Sequence, residues 1–365
     1  MKRNDIENQI CLYKRGIGGE STNKDIALAN AVLGILSQQT VPMRRMLEKV
    51  YEKDDELYIV AFSRGSASAR EFVVELDELG IKTASGETVA KPPVKFLGCF
   101  DTVSEQVEHE VECLWDERFK LITKPSVLNE KDGKLSSIVE TAVHQVSMED
   151  NRQFKGSPAF PPVLMDSKDE RVHEIWFPGE HGDVGGSGYL KGLADGSLQA
   201  MKEWMEKCGF KFLEKGEDIH PDCVKIDVKG FEHLKVDRSR MNILPDPSYK
   251  PGWMHPQQKY EPSYRLTVAI TNEAVIPGAT LRIHKSYLEH IEAMANEECA
   301  YSKVNRELFH CADIVVVGAL GNKLEDETKR LKDIIAKQKY AANCVTHNRY
   351  EPASDAINKG ATLVS

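Results

Sequence analysis

Short apolar runs rich in β-branched and aromatic residues alternate along the chain with longer segments whose apolar residues recur at helical spacing. This alternation is typical of an α/β fold with a mostly parallel sheet and helices on both faces. The predicted strands are 9–13, 57–62, 94–103, the first part of 173–188, 281–283 and 312–317, and the predicted helices are 24–38, 42–51, 138–150, 197–208 and 325–339.

Prolines and aromatic residues with weak periodicity fill residues 211–280, which is typical of an irregular insertion over a site. We therefore expect a core over residues 1–210, a cap or insertion over 211–280, and a segment over 281–365 that completes the core. At 365 residues, with 41% hydrophobic and 29% charged side chains, the chain is long enough for this arrangement.

Composition narrows the class of protein. A formal net charge of -9 argues against a protein that binds nucleic-acid phosphates. No apolar run reaches the roughly 20 residues that a membrane span needs, and the polar start is unlike a signal peptide, so we expect a cytoplasmic protein where it is made. The eight cysteines include no Cys-x-x-Cys pair, and neither a metal nor another cofactor is expected.

The segment ELYIVAFSRGSASAREF, residues 56–72, predicts a buried strand that breaks at Ser63 and continues at once into a helix. A nucleophile elbow presents a catalytic serine in this way, in a strained turn that favours small residues two positions to either side. Ala61 and Gly65 stand at those positions, where glycine is usual at both. The segment indicates a serine hydrolase, with the amide of Arg64 as an oxyanion donor.

Such a serine needs a histidine as its base and a carboxylate that orients the histidine. Asp101 and Asp183 each follow an apolar strand, so both are predicted at the same sheet edge as Ser63. The glycine-rich loop around Asp183 favours it, whereas Asp101 can equally cap a turn.

The chain order of serine, acid and histidine places the base after the acid. His284, between a strand-like run and a helix, is the best-placed candidate on spacing. With Asp183 as the acid, His181 has the wrong order and is expected to donate a stabilising hydrogen bond within its loop.

A second function is suggested by the glycines at 16, 18 and 19, which follow a predicted strand and precede a predicted helix. A dinucleotide-binding loop has this form, but Ser21 occupies its third glycine position and an ordinary turn explains the same residues. Nucleotide binding is therefore an alternative to hydrolysis.

Several motifs in order along the chain resemble the α/β-hydrolase domain family whose best understood members are type VI secretion phospholipase effectors. They are LYKRGIGGE, DELYIVAFSRGSASAR, FLGCFDTVS, AVHQVSMEDNRQFKGSPAF, IWFPGEHGDVGG, LADGSLQAMKEWM and RIHKSYLEHI. The resemblance implies a serine esterase or lipase acting on an acyl ester such as a phospholipid, with Ser63, Asp183 and His284 as the triad. It also implies export without a signal peptide and an immunity-type partner.

The chain departs from the family in one respect. Members of the family begin with a strand that ends in Asp-Gly-Thr, and no such segment precedes residue 9 here. In this fold that strand lies beside the nucleophile strand, and its loop supplies an oxyanion donor. We expect residues 312–317, or failing that a second chain, to pair against 57–62. If the sheet instead closes up, residues 9–13 would pair there and Gly16, Gly18 and Gly19 would supply the donor. A catalytically impaired interaction protein is the competing class.

Overall fold

The computed structural model describes residues 9–14, 37–103, 113–116, 120–123, 133–150, 153–154, 157–158, 161–186, 192–212, 263–265, 267, 269, 279–293 and 313–341. Within these residues, six parallel strands form the main sheet. From one edge to the other they are β1 (Leu57–Phe62), β4 (Val94–Phe100), β7 (Ala142–Ser147), β10 (Val172–Phe177), β12 (Thr280–His284) and β13 (Asp313–Val317).

In the described part of the chain, seven shorter strands form three small sheets outside the main one. They are β2 (Ile81–Lys82), β3 (Thr88–Val89), β5 (Cys113–Asp116), β6 (Lys120–Thr123), β8 (Gln153–Phe154), β9 (Ser157–Pro158) and β11 (Ser263–Arg265). One of these sheets joins β11, β6 and β5, with β11 parallel to β6. The only described strand of the predicted insertion, β11, thus pairs with a strand from much earlier in the chain.

Helices cover both faces of the main sheet. They are α1 (Ser37–Leu47), α2 (Arg64–Leu79), α3 (His181–Gly185), α4 (Gly192–Lys207), α5 (Lys285–Ala293) and α6 (Glu325–Ala341). Apolar residues of α2 pack on one face of β1 and β4, and those of α5 and α6 pack on β12 and β13. Apolar residues of α4 pack on the opposite face.

Strand β4 shows how the sequence builds these layers. Successive side chains of a strand point to opposite faces, so Phe96 and Phe100 contact the cluster beneath α4, whereas Leu97 and Cys99 contact the cluster beneath α2. Gly98 lies on the α4 side, where a Cβ would come within 2.8 Å of Met201 Sδ, so glycine lets α4 approach the sheet. The predicted α/β architecture is therefore confirmed.

The structure contradicts the predicted helix over 138–150, because β7 occupies its centre. Every residue of β7 is buried. A strand buried on both faces of a parallel sheet need not alternate apolar and polar residues, so β7 lacks the pattern that identifies a strand from sequence.

The prediction that residues 312–317 pair with β1 is also wrong. Residues 313–317 form β13, which pairs with β12 at the far edge of the sheet. Residues 9–13 form no strand, and the Gln9 side chain instead bonds the backbone of Lys211. Among the described residues β1 is an edge strand, and Val60 on it is 41% exposed. Pairing of β1 with a second chain stays a prediction.

None of the described helices is long and apolar enough to cross a bilayer.

Candidate active site

Ser63 occupies a sharp turn between β1 and α2. Its φ of 62° and ψ of -133° lie in a region that side-chain-bearing residues rarely adopt. The Ser63 N–H donates to the Phe100 carbonyl at 2.9 Å, which continues the pairing of β1 with β4 through the turn. The predicted strand, serine and helix are thus present as a strained elbow at the carboxyl end of the sheet.

The steric reason given for Gly65 is not supported within the described part of the chain. A Cβ built on Gly65 meets nothing within 4 Å.

The histidine beside Ser63 is His181. Its Nε2 lies 2.7 Å from Ser63 Oγ, and its Nδ1 lies 2.6 Å from Asp101 Oδ2. An ionised carboxylate only accepts hydrogen bonds, so Nδ1 carries the proton, which it donates to Asp101. Nε2 is then unprotonated and accepts the hydrogen bond from the Ser63 hydroxyl. This tautomer is the one that a general base for serine requires.

Asp101 is fully buried and held from several sides. The Ser147 N–H donates to Oδ1 at 2.9 Å, and the Arg265 guanidinium contacts both carboxylate oxygens. Burial acts to raise the pKa of Asp101, but the positive charge of Arg265 and the hydrogen bond from His181 outweigh it and hold this pKa below its ordinary value. The carboxylate is therefore ionised at neutral pH.

The backbone around Asp101 is fixed by a second histidine. Asp101 has a positive φ of 40°, unusual for a residue with a side chain. The next amide, that of Thr102, donates to His144 Nε2 at 3.0 Å, so Nδ1 of that ring carries the proton, which it donates to Glu174 at 2.9 Å. His144 thus ties the turn after β4 to β10, a role that the sequence analysis missed.

The His181 loop is anchored to the end of β7 by two buried carboxylates. Glu149 Oε2 accepts the hydrogen bond from the Gly179 N–H, and Asp150 Oδ2 accepts that of His181 at 3.1 Å. The Phe62 ring packs on the imidazole of His181, with centroids 4.5 Å apart. A Cβ at Gly185 would overlap this phenyl ring, so glycine is needed there. These contacts fix the imidazole between Ser63 and Asp101.

The predicted acid, Asp183, has a different place. Its Oδ2 accepts the Glu180 N–H at 3.0 Å as part of a capping box at the start of α3. Gly179, with φ +94°, lies so close that a Cβ there would be 2.6 Å from Asp183 Cβ. The glycines do pack around this carboxylate, as predicted, but the carboxylate caps a helix.

The predicted base, His284, is not brought to Ser63 either. Its Nδ1 bonds Ser286 Oγ at 2.7 Å, its ring stacks on Phe177, and its Nε2 has no hydrogen-bond partner within the described part of the chain. Burial, with a smaller effect of the Lys285 charge, lowers the pKa of His284 to about 3. An imidazole with so low a pKa is a weak base near neutral pH. The structure therefore brings neither Asp183 nor His284 to Ser63; His181 contacts Ser63 and Asp101 contacts His181, which is the expected chain order of serine, acid and histidine.

Burial of His284 predicts an acid-sensitive fold. An unfolded histidine takes up a proton near pH 6.5, whereas the folded one does so only near pH 3, so its stabilisation is complete above pH 6.5 and is lost as the pH falls toward 3. Between pH 7 and 5 this amounts to about 2 kcal/mol of unfolding free energy. Denaturant unfolding at the two pH values should show that much less loss in His284→Gln than in the wild type. Equal losses would contradict the assignment.

Gly16, Gly18 and Gly19 lie outside the described residues, so both functions proposed for them stay predictions. The Arg64 amide directly follows Ser63 at the first residue of α2, which is the position expected of an oxyanion donor. Within the described ranges, no group of three or more His, Cys, Asp or Glu side chains is placed to hold a metal ion.

A parallel sheet covered by helices on both faces, with a serine elbow at its carboxyl edge and a histidine and an aspartate bonded to it in series, defines an α/β-hydrolase. The family model described as "T6SS, Phospholipase effector Tle1-like, catalytic domain" matches residues 1–91 and 82–206. The chain belongs to this family, whose model describes the catalytic domain of type VI secretion system phospholipase effectors.

A comparison with curated proteins gives no match. Among solved structures, an uncharacterised protein from Pseudomonas aeruginosa is 21% identical, with a TM-score of 0.27. That match covers 51% of this chain and 29% of the other. This chain therefore spans less than a third of the length of that protein.

Proposed function

We propose that this chain is a serine hydrolase that cleaves an acyl ester bond of a phospholipid, with Ser63 as nucleophile, His181 as general base and acid, and Asp101 as the carboxylate that orients the imidazole. The observation that carries the proposal is the unbroken series of hydrogen bonds from Asp101 through His181 to Ser63, two contacts of 2.6 and 2.7 Å. Stability of the fold alone does not require an aspartate, a histidine and a strained serine from distant parts of the sequence to be hydrogen-bonded in series.

The first half of the reaction follows from these positions. His181 Nε2 removes the Ser63 hydroxyl proton as Oγ attacks the ester carbonyl carbon, and a C–O bond forms while the carbonyl π electrons move to oxygen. The Arg64 N–H would donate to that oxyanion. Collapse of the tetrahedral intermediate breaks the bond to the leaving alkoxide, which takes the proton from the His181 imidazolium and departs as an alcohol.

The second half repeats the steps with water. His181 removes a proton from the water, whose oxygen attacks the acyl-Ser63 carbonyl carbon, and the same imidazolium then returns the proton to Ser63 Oγ as the fatty acid leaves. The negative charge of Asp101 favours the imidazolium in both halves, because the carboxylate is ionised and bonded to Nδ1 throughout. No cofactor enters this scheme.

A lipid ester as substrate rests on membership of the phospholipase effector family. The same membership implies secretion, and we further propose export without a signal peptide and control by an immunity-type partner. The competing class, a catalytically impaired interaction protein, would not require Asp101, His181 and Ser63 to stay bonded in series.

Hydrolysis of phospholipid vesicles tests the substrate class. We expect the protein to release fatty acid from phosphatidylcholine and phosphatidylethanolamine vesicles and to cleave a short soluble p-nitrophenyl ester, with both activities lost in Ser63→Ala. Cleavage of the soluble ester alone would overturn the phospholipid assignment and leave the esterase standing. Inactivity of a folded protein on both substrates would overturn the proposed function.

A further inference from the structure

The Arg265 side chain reaches the active site from the small sheet that joins β11, β6 and β5. Arg265 is the last residue of β11 and is 1% exposed. Strand β11 pairs with β6, and Arg265 lies opposite Thr123. Its Nη1 lies 2.7 Å from Asp101 Oδ1 and 3.0 Å from Oδ2. The same nitrogen lies 2.7 Å from Ser147 Oγ and 3.0 Å from the Ser147 carbonyl oxygen. One guanidinium nitrogen therefore bridges Asp101 and the last residue of β7.

We propose that Arg265 is a positioning residue of the catalytic centre, which holds the Asp101 carboxylate in the orientation that meets His181. The inference rests on the proposed function and extends it, because it assigns a residue of the β11–β6–β5 sheet to the active site. The predicted insertion over 211–280 was expected to cover the site, whereas its described strand contributes a cation to the acid.

The first support is the electrostatic demand of Asp101. A carboxylate with no solvent exposure is costly to keep ionised unless positive charge and hydrogen bonds compensate it. Without Arg265, the donors to Asp101 that remain in the described part of the chain are the Ser147 amide and the His181 imidazole. Loss of the Arg265 charge would therefore raise the pKa of Asp101, and a protonated carboxyl group cannot accept from Nδ1 as strongly.

The second support is the geometry of the bridge. Both oxygens of Asp101 are used in different directions, since Oδ1 accepts from the Ser147 amide and Oδ2 from His181. Arg265 Nη1 contacts both oxygens, so it opposes rotation of the carboxylate about its Cβ–Cγ bond. Its contacts with Ser147 fix the guanidinium itself to the end of β7.

A second buried arginine offers a matched control. Arg70 is also 1% exposed, and its guanidinium donates to the carbonyl oxygens of Val163 and Leu164 at 2.8 and 3.2 Å. These contacts join α2 to a loop and include no carboxylate of the site. Loss of either guanidinium is expected to reduce stability, but only loss of Arg265 should change the reactivity of Ser63.

The test measures the second-order rate of inactivation by a fluorophosphonate, together with thermal melting, for the full chain. Arg265→Gln should react about 10- to 100-fold more slowly than the wild type, as expected for loss of hydrogen bonds to a charged group. Arg265→Lys, which keeps the charge, should recover at least part of that loss. Arg70→Gln should melt earlier yet react at the wild-type rate below its melting transition.

A double-mutant cycle separates positioning from a general structural effect. In an Asp101→Asn background, adding Arg265→Gln should slow the reaction by less than about threefold, because the carboxylate that Arg265 holds is already gone. An unchanged rate in Arg265→Gln, or an equal slowing with and without Asp101, would overturn the proposal. If Arg265→Gln does not fold, the Ser147→Ala variant tests the proposal instead. This variant removes the Ser147 hydroxyl, which accepts a hydrogen bond from Arg265 Nη1, and should slow the reaction about threefold. A wild-type rate in Ser147→Ala would overturn the proposal.

Failure of the wild type to react would remove the proposed function and the role of Arg265 together. An unslowed Arg265→Gln beside a reactive wild type would remove the role of Arg265 alone.

Discussion

Replacing His181 with glutamine is expected to slow ester hydrolysis by roughly 10,000- to 1,000,000-fold, because the imidazole of His181 bonds both Ser63 and Asp101. His284→Gln is the matched control. Its ring bonds Ser286 and stacks on Phe177, so the rate of the folded variant should stay within about threefold of the wild type. Steady-state hydrolysis of a soluble ester, with folding checked by circular dichroism, measures both.

The opposite ranking would restore the base predicted from sequence. If His284→Gln lost activity while His181→Gln kept it, the contact between His181 and Ser63 would be structural only.

Asp101→Asn is expected to lower turnover about 10,000-fold, the size of effect seen when the triad acid becomes an amide and the histidine tautomer is reversed. Asp183→Asn carries the same chemical change two residues beyond His181. Asp183 accepts the Glu180 amide in a capping box, and an asparagine amide oxygen can still accept this hydrogen bond, so Asp183→Asn should cost less than about 1 kcal/mol of unfolding free energy. Turnover of the folded Asp183→Asn variant should fall less than about tenfold.

Turnover and denaturant unfolding, measured on both aspartate variants, distinguish these effects. A large loss of turnover in Asp183→Asn with a mild one in Asp101→Asn would return the acid role to Asp183.

The local parts of this site could be predicted from the sequence. The elbow at Ser63 is encoded within one segment, because an apolar strand, a turn and a helix follow each other directly. The same holds for β4, β10 and α4, whose side-chain pattern reflects their own burial. By contrast, β7 is buried on both faces and has no alternation to read.

The pairing of acid and histidine is a long-range property that the sequence left open. Asp101 and Asp183 both follow strands of the main sheet, and the glycines around Asp183 favour the carboxylate that does not contact a histidine beside Ser63. With Asp183 as the acid, the chain order excludes His181 as the base, because the base follows the acid. With Asp101 as the acid, His181 has the correct order. Arg265 had no signal at all, since its contact with Asp101 spans 164 residues.

The central claim is that Ser63 is an activated nucleophile, and its reaction with a fluorophosphonate followed by peptide mapping tests this most directly. An activated serine Oγ attacks the phosphorus and forms an O–P bond as fluoride leaves, so the probe reports an activated serine without knowledge of the substrate. We predict one adduct, on Ser63, that is absent from Ser63→Ala and strongly reduced in His181→Gln. A folded wild-type protein that forms no adduct, or one that is labelled equally after Ser63→Ala, would contradict the account.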